Sequence, residues 1–347
     1  MKTQQKIMIF RFSAMGDVAM TVPVIKALRY AYPNVKIIMV SRSFYAPMFR
    51  NIDRLTFVGI DFKNDYKGLW GLYRLYHKLK KFEPTAIADL HDVLRTKILR
   101  LFFKIAGYKI AVIDKGRSEK KALTRSKNKI FKPLKSTHRR YADVFRELDY
   151  IIDLEDFKPK KPSLSNQVSL FLKTFEGKKL IGIAPFAAHK GKQYPIDKIK
   201  EVIKGLRTQL PDAGILLFGG GKQEKIELDK LEVIDRNHIV NTAGIFGFDE
   251  ELQLISKLDI MLSMDSGNAH LAALYGVPVL SIWGATHPYA GFAPINQPTQ
   301  NQIVADTKKF PQLPTSIYGN KTFENFEKVW ETIKAEQIVD KIVDILS

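Results

Sequence analysis

The sequence contains no cysteine at all among its 347 residues. This absence excludes disulfide bonds, thiolate nucleophiles and cysteine-ligated metal sites in a single step. A chain without cysteine fits a reducing compartment, and we therefore expect a cytoplasmic protein.

Acidic residues are also scarce relative to basic ones. The chain has 55 Lys and Arg against 36 Asp and Glu, which leaves a formal net charge of +19. Such an excess favours an anionic partner, and nucleic acid, a phosphorylated substrate and an acidic membrane surface all qualify. Charge alone does not choose among the three.

Long apolar runs are missing as well. No stretch approaches the roughly 18 apolar residues that a membrane-spanning helix needs. The N-terminal apolar run 7–10 is interrupted by Arg11, too early for the core of a signal peptide. We expect a protein that sits at most on the surface of a membrane.

Several familiar ligand motifs do not occur. The sequence lacks G-x-G-x-x-G and G-x-x-x-x-G-K-[ST], so neither a dinucleotide fingerprint nor a nucleotide-hydrolase phosphate loop is supported. The seven histidines form no H-x-x-x-H pair, and no D-x-D is present to hold a metal against a diphosphate. We expect no cofactor and a metal-independent mechanism.

Short apolar runs alternate with longer amphipathic stretches, which is typical of parallel sheets covered by helices. The pattern predicts an α/β fold with strands at 6–12, 36–41, 55–60, 86–90, 109–113, 180–184, 214–219, 238–241, 259–264 and 278–283.

The length suits two domains. We place an N-terminal domain at 1–157, a linker at 158–176, a C-terminal domain at 177–322 and closing helices at 323–347. The proline-rich stretch 287–322 is too long for a simple connection, which is typical of a functional loop.

The most informative motif lies at 258–284, LDIMLSMDSGNAHLAALYGVPVLSIWG. It reads as strand, helix and strand, with Asp265, Ser266 and Gly267 at the helix start and His270 one turn on. Free amides at a helix start suit a phosphate, whereas Asp265 suits sugar hydroxyls because it would repel phosphate. The alternative is that Asp265 and Ser266 simply cap the helix.

Two further loops follow predicted strands of the second half. Lys190 and Lys192 lie in the first and can neutralise a diphosphate, although surface lysines usually have no such role. The second, LLFGGGKQE, contains Gly220 and Glu224 and permits a close backbone contact with a ligand; a flexible turn is the alternative. Because parallel strands end at one edge of a sheet, the three loops together predict a nucleotide-like anion site.

In the first half, the stretch RFSAMGDV joins a strand to a helix. Its Asp17 is a candidate general base for a sugar hydroxyl, and Ser13, Met15 and Gly16 are candidate acceptor contacts. The simpler interpretation is that Asp17 only caps its helix.

Other acceptor candidates come from two basic stretches. His91 and Arg95 follow the fourth strand, although a structural pair is equally compatible with that loop. Segment 115–140 has 11 Lys and Arg, including Lys120 and Arg125, and one acid. It has few aromatic residues for base stacking, so it favours acceptor phosphates or a lipid surface over nucleic acid. A solvated loop without a specific role is the alternative.

With these stretches in hand, the sequence resembles the ADP-heptose:lipopolysaccharide heptosyltransferases, glycosyltransferase family 9. The resemblance covers essentially the whole chain and rests on RFSAMGDVAMTVPVIKALR, DLHDVLRT, Lys192-Gln193-Tyr194-Pro195 and MDSGNAHLAALYGVPVLSIWG.

The resemblance implies a GT-B fold, two Rossmann-like domains facing across a cleft, with the terminal helices crossing back to the first domain. It also implies an inverting, metal-independent transfer of heptose from ADP-heptose to the phosphorylated inner core of lipopolysaccharide, with peripheral contact to the inner membrane compatible with the basic loop. Asp17 resembles the family's general base, Lys192 its diphosphate-binding lysine and Asp265 its sugar-binding residue, with Ser266 and Gly267 at the diphosphate.

Two departures from the family stand out. Relatives often carry cysteines near 312–323, where this chain has none, and many have Trp in place of Tyr194. The alternatives are a GT-B transferase or epimerase that uses another nucleotide-sugar and, from a different class, a basic nucleic-acid-binding protein. A nicotinamide oxidoreductase is disfavoured by the missing glycine fingerprint.

Overall fold

The computed structural model describes residues 4–347, and these form two compact units. The first unit comprises residues 4–115 and 137–158, and the second comprises residues 116–136 and 159–347. Each unit is described by itself.

Strands and helices alternate along the chain. The strands are β1 (Lys6–Phe10), β2 (Lys36–Arg42), β3 (Leu55–Ile60), β4 (Ala86–Asp89), β5 (Lys109–Val112), β6 (Leu180–Ala184), β7 (Gly214–Leu217), β8 (Ile239–Asn241), β9 (Ile260–Met264), β10 (Val279–Trp283) and β11 (Gln302–Val304). The helices are α1 (Met15–Ala19), α2 (Thr21–Ala31), α3 (Gly68–Lys80), α4 (Leu94–Ile105), α5 (Arg117–Thr124), α6 (Thr137–Arg146), α7 (Asn166–Lys173), α8 (Ile196–Gln209), α9 (Lys222–Glu232), α10 (Phe248–Ile255), α11 (Gly267–Ala273) and α12 (Ala335–Leu346). Short 3-10 helices include Ser43–Phe49, Leu154–Asp156, Lys190–Lys192 and Phe326–Thr332.

The first unit is built on a parallel sheet in the order β3-β2-β1-β4-β5. Its central strand β1 is apolar and buried from Ile7 to Phe10, as expected where helices cover both faces. Met8 and Phe10 pack with Leu75 and Leu79 of α3 and with Phe103 of α4, which forms the core on that face.

The second unit is built on a parallel sheet in the order β11-β10-β9-β6-β7-β8. Numbered from its own first strand, this is the order 3-2-1-4-5-6 of a doubly wound sheet. The core combines apolar residues of β6, β7 and β9 with those of α8 and α12.

All ten predicted strands are present, each ending within two residues of its predicted ends. The sequence analysis missed β11, which has three residues and follows a loop without a clear period. It also treated 158–176 as a linker, whereas this stretch contains α7. Ser165 caps that helix by accepting a hydrogen bond from the amide of Val168 at 3.2 Å.

The structure divides the chain differently from the proposed domains. Segment 116–136, placed by sequence in the first domain, belongs to the second unit. Lys129 Nζ donates to the carbonyls of Gln312 and Leu313 at 2.7 Å, and the amide of Leu134 donates to Tyr289 O at 2.9 Å. These contacts with the loop 287–322 account for the assignment.

The closing helix α12 lies in the second unit. The expectation that residues 323–347 pack back towards the first domain stays a prediction. Its Ile338, Val339 and Ile342 are buried in that unit's core, and Val339 packs over Gly205 of α8. Among residues 4–347, no helix has both the length and the apolar character needed to cross a membrane.

We expect Ile338→Ala to destabilise the second unit by about 3 kcal/mol, because it leaves a cavity under a fully buried side chain. Urea unfolding followed by the fluorescence of Trp283 and Trp330, both buried in this unit, measures the loss. Asp344→Ala, on the exposed side of the same helix, is the matched control and should change stability little. Equal stability of the two variants would contradict the assigned packing.

Candidate active site

Each sheet has one point where the strand order reverses. In the first sheet β1 and β4 are neighbours, and in the second β6 and β9 are neighbours. Connections leave such a pair towards opposite sides, which opens a crevice at the carboxyl ends of the strands. The segments after these strands contain Asp17, in the first turn of α1, and His91, Lys192 and Asp265 respectively. The structure thus places the main candidates at the reversal points of their own sheets.

Asp265 forms an ion pair with Lys192 in the second unit. Lys192 Nζ lies 2.9 Å from Asp265 Oδ2, and the two side chains are only 16% and 7% exposed. Ser266 occupies the N-cap position of α11 but makes no capping hydrogen bond with its side chain. The capping alternative therefore does not describe this loop.

The neighbours of Asp265 are held by local contacts. The hydroxyl of Ser266 lies 3.0 Å from that of Ser263, which itself donates to the carbonyl of Met264. Gly267 begins α11, and His270 is buried one turn further along. The arrangement fixes the backbone next to the Lys192–Asp265 pair.

The loop that contains Lys192 was identified from sequence, but the contacts that hold it in place were not. The amide of Ala285 donates to Gly191 O at 2.7 Å, and the amide of Thr315 donates to Ala285 O at 2.9 Å. Gly319 lies against the methylene groups of Lys192 and has a φ of +74°, so a side chain there would both strain the backbone and displace the lysine. The only signal was a glycine inside a long proline-rich loop.

In the glycine loop after β7, the carboxylate of Glu224 already binds a backbone amide. Glu224 accepts a hydrogen bond from the amide of Gly220 at 2.7 Å. A negative charge at this place disfavours a phosphate but suits a hydroxyl donor. Lys190 is exposed at the start of its 3-10 helix, whereas Lys192 is turned inwards.

Asp17 in the first unit is both a cap and a member of an ion pair. Its Oδ2 accepts from the amide of Ala14 at 3.3 Å and lies 2.6 Å from a guanidinium nitrogen of Arg11. The Asp17 side chain is 28% exposed, whereas that of Arg11 is 8% exposed. Capping and a chemical role are therefore compatible, because both contacts are made by Oδ2 and the side chain remains partly exposed.

Arg11 was not identified from sequence, although it is part of RFSAMGDV. Arg11 also donates to Leu90 O at 2.8 Å, and its guanidinium lies 5.9 Å from the ring centre of Tyr141. Burial lowers the pKa of Arg11, but Tyr141 and Asp17 outweigh this effect, so the pKa is raised overall. A permanently charged Arg11 orients the carboxylate of Asp17. Ser13, Met15 and Gly16 lie half-buried around it.

The loop after β4 is held by its own ion pairs. The fully buried Asp89 accepts hydrogen bonds from the amides of His91 and Asp92 at 2.9 Å. The guanidinium of Arg100 lies 3.0 Å from the carboxylate of Asp89 and 3.3 Å from that of Asp92. His91 Nδ1 accepts from the amide of Phe12 at 3.3 Å. Burial and nearby cations lower the pKa of His91 to about 3, so the ring is neutral. These contacts favour a positioning role for His91 over direct acceptor binding.

The remaining acceptor candidates do not all share a unit with Asp17. Arg95 of the first unit lies 4.8 Å over the ring of Phe62. Lys120 and Arg125 belong to the second unit, where Lys120 lies 4.3 Å over Phe292 and Arg125 donates to Asn128 O.

Two further structural features bear on the site. Tyr194, which departs from the Trp that the resemblance led us to expect, is buried and donates to Ile333 O at 2.8 Å, so it belongs to the core. Within residues 4–347, no three His, Asp or Glu side chains are grouped as a metal site.

Comparison with known families identifies the chain. The sequence model described as glycosyltransferase family 9 (heptosyltransferase) matches residues 72–320, well over half of the protein. The chain belongs to this family. It is therefore a glycosyltransferase, and the resemblance inferred from its motifs is confirmed.

Named relatives extend the match towards both ends. The chain is 26% identical over 287 residues to the lipopolysaccharide core heptosyltransferase OpsX of Haemophilus influenzae, covering 82% of this chain and 80% of that protein. It is 23% identical over 354 residues to lipopolysaccharide heptosyltransferase 1 of Campylobacter coli, covering 98% of each. Although the family model begins at residue 72, the second relative covers nearly the entire chain.

Solved structures confirm the fold. A family 9 glycosyltransferase from Veillonella parvula has a TM-score of 0.74 at 16% identity, covering 99% of this chain and 97% of that one. The E. coli heptosyltransferase WaaC with ADP has a TM-score of 0.67 at 15% identity, covering 98% and 100%. The fold is α/β of the GT-B class with two Rossmann-like domains, as predicted.

We expect acid to destabilise the first unit through His91. The pKa of His91 is about 3 in the folded protein, whereas an ordinary histidine in the unfolded chain has a pKa near 6.5. Between pH 6.5 and pH 3, only the unfolded chain therefore gains a proton at this residue. Stability from this group is complete above about pH 6.5 and declines as the pH falls towards 3, by about 2 kcal/mol at pH 5.

Urea unfolding of the wild type and of His91→Gln at pH 7 and pH 5 measures this term. Other titrating groups are common to both proteins, so the difference between their pH slopes isolates His91. Identical slopes would show that His91 is not held neutral.

Proposed function

We propose that this enzyme transfers heptose from ADP-heptose to a phosphorylated acceptor in the inner core of lipopolysaccharide, with inversion at the anomeric carbon and without a metal ion. The observation that carries the proposal is the buried Lys192–Asp265 pair at the reversal point of the second sheet. The names of the family 9 relatives support the donor sugar and the acceptor class.

The donor site follows from the chemistry of that pair. Lys192 offers a cation for the diphosphate, and an incoming diphosphate competes with Asp265 for it. Asp265 is then available to accept hydrogen bonds from sugar hydroxyls. The amides of Ser266 and Gly267 add donors beside the diphosphate, and Glu224 is suited to a ribose hydroxyl.

The chemical step is a single displacement. The acceptor oxygen attacks the anomeric carbon, and the bond between that carbon and the diphosphate oxygen breaks. The leaving diphosphate keeps the electron pair and is stabilised by Lys192, while Asp17 takes the proton from the acceptor hydroxyl. Arg11 holds the Asp17 carboxylate in one orientation during this transfer.

The acceptor side rests on positive charge. Arg95 lies near the end of β4 in the unit that contains Asp17, whereas Lys120 and Arg125 come from the second unit. The net charge of +19 suits an acceptor that carries phosphate groups. A cytoplasmic location is proposed because the sugar nucleotide and a reducing compartment would be found together there.

We expect Asp17→Asn to lower kcat by about 100-fold or more, because the amide keeps the shape but cannot take a proton. Steady-state transfer to a lipopolysaccharide-core acceptor measures the loss, and ADP binding should be unchanged. The control is Asp61→Asn, a surface carboxylate in the same unit that also caps a turn. An Asp17→Asn enzyme that is folded and turns over at the wild-type rate would rule out the base.

We expect Lys192→Ala to weaken ADP binding by about 10-fold or more, because it removes the cation proposed to bind the diphosphate. Within residues 4–347, Lys192 is the only cation paired with Asp265. Calorimetry with ADP measures the change. Lys200→Ala on α8 is the control, since that lysine is exposed, lies in the same unit and is not a candidate for the donor site. Unchanged ADP affinity in Lys192→Ala would contradict the proposed diphosphate site.

The same calorimetry with GDP, UDP and CMP separates ADP-heptose from other nucleotide-sugars. Tighter binding of another nucleotide would favour the alternative of a different transferase or an epimerase. Salt-sensitive binding of nucleic acid without affinity for ADP would favour the nucleic-acid alternative.

A further inference from the structure

Helices α3 and α4 lie side by side on one face of the first sheet and present apolar side chains to solvent. We call this surface the α3–α4 face. Its exposed members are Leu69, Trp70 and Tyr73 on α3 and Leu94, Leu101 and Ile105 on α4, and Trp70 is 74% and Ile105 77% exposed. Residues 94, 98, 101 and 105 follow helical spacing, so they form one stripe along α4.

The apolar side chains of the two helices are in contact. The rings of Trp70 and Tyr73 stack with their centres 5.3 Å apart, and Tyr73 meets the edge of Phe102 on α4 at 5.8 Å. Phe102 neighbours Leu101 in sequence and lies one turn before Ile105. Isolated apolar residues are normal on a protein surface, but an exposed aromatic cluster beside an aliphatic stripe indicates an interaction site.

The charge of the same two helices has one sign. Helix α3 carries Arg74, Lys78 and Lys80, and α4 carries Arg95, Lys97, Arg100 and Lys104, while neither helix contains an Asp or Glu. By contrast, α8, α9, α10 and α12 each contain acidic residues. Arg100 is engaged with Asp89 and Asp92, but Arg74, Lys78 and Lys81 line a surface depression together with Trp70 and Tyr73.

We propose that the α3–α4 face docks on a bilayer that contains anionic phospholipids. Trp and Tyr side chains favour the level of the lipid headgroups, and Leu and Ile favour the acyl region below it. Lysine and arginine reach past this boundary to anionic phosphates while their methylene stems remain apolar. The apolar residues of the α3–α4 face therefore match the lipid interior, and its basic residues match the anionic headgroups.

Other occupants fit less well. A second copy of this chain would bring two basic surfaces together with no acid in either helix to compensate. Nucleic acid would match the charge and the aromatic rings, but it offers nothing for the aliphatic stripe of α4. A membrane contact differs from the one considered for the basic segment 115–140, because residues 116–136 belong to the second unit and the α3–α4 face belongs to the first.

The test uses vesicles of phosphatidylcholine with or without about one-third phosphatidylglycerol. The protein has three tryptophans, and Trp283 and Trp330 are buried, so Trp70 is the one that lipid can reach. We expect co-sedimentation with the anionic vesicles, a blue shift of the Trp70 emission, and quenching of that emission by lipids brominated in their acyl chains. Neutral vesicles should bind at least 10-fold more weakly.

Two variants address the apolar and the charged part separately. We expect Leu101→Ser with Ile105→Ser, and independently Lys78→Glu with Lys104→Glu, each to weaken binding to the anionic vesicles about 10-fold or more. The matched controls are Leu170→Ser on α7 and Lys200→Glu with Lys204→Glu on α8, which alter equally exposed residues of the second unit. The controls should bind as the wild type does.

Three outcomes would overturn the proposal. In the first, both α3–α4 variants bind vesicles as tightly as the wild type does. In the second, binding is lost only when Lys127 and Lys132 of the basic segment are changed to Glu. In the third, the wild type itself does not bind vesicles. Capture of an acidic protein by this face without vesicle binding would assign it to a protein partner instead. Vesicle binding is measured without substrates, so its result is independent of the proposed sugar transfer.

Discussion

The positions of Asp17, His91, Lys192 and Asp265 depend on one constraint, the right-handed crossover between parallel strands. Each right-handed crossover places its helix on a fixed face of the sheet. When strands are added on both sides of the first strand, the loops that leave the two adjoining central strands therefore turn to opposite faces, and a crevice opens between them. In this protein the reversal points lie between β1 and β4 and between β6 and β9. The strand order selects which loops can bind a ligand before any side chain is considered.

At each reversal point the chain holds a carboxylate beside a cation. Arg11 fixes Asp17 in the first unit, and Lys192 pairs with Asp265 in the second. The two pairs differ in exposure, and this difference has chemical consequences. Asp17 is partly exposed, so an external hydroxyl can reach it, and Arg11 holds its carboxylate in one orientation. Asp265 is almost fully covered, so an anionic ligand that bound Lys192 would have to compete with it. Breaking a covered ion pair is costly unless a new anion replaces the old one, which favours a highly charged ligand such as a diphosphate.

The strands and the principal site loops could be predicted from sequence because they depend on local apolar runs and on glycine and aspartate at strand ends. The partners of those residues could not be predicted in the same way. Arg11 and Asp17 are close in sequence, but only the folded turn shows that they form an ion pair. Gly319 is more than 100 residues from Lys192, and its role depends on a long loop returning to β6. Similarly, the basic character of segment 116–136 was evident, whereas its packing on the loop 287–322 depends on tertiary contacts of Lys129 and Leu134.

The basic residues behind the net charge of +19 fall into groups with different surroundings. Part of it lies in segment 116–136, where Lys129 is engaged with backbone carbonyls and its pKa is lowered by burial. Another part, Arg11 and Arg100, neutralises the carboxylates of the site loops. The other Lys and Arg residues of α3 and α4 differ from both groups because they lie beside exposed aromatic and aliphatic side chains and have no acid in their own helices. A charge excess read from composition indicates an anionic partner, but the apolar residues beside each cluster decide whether that partner is a phosphate group or a membrane surface.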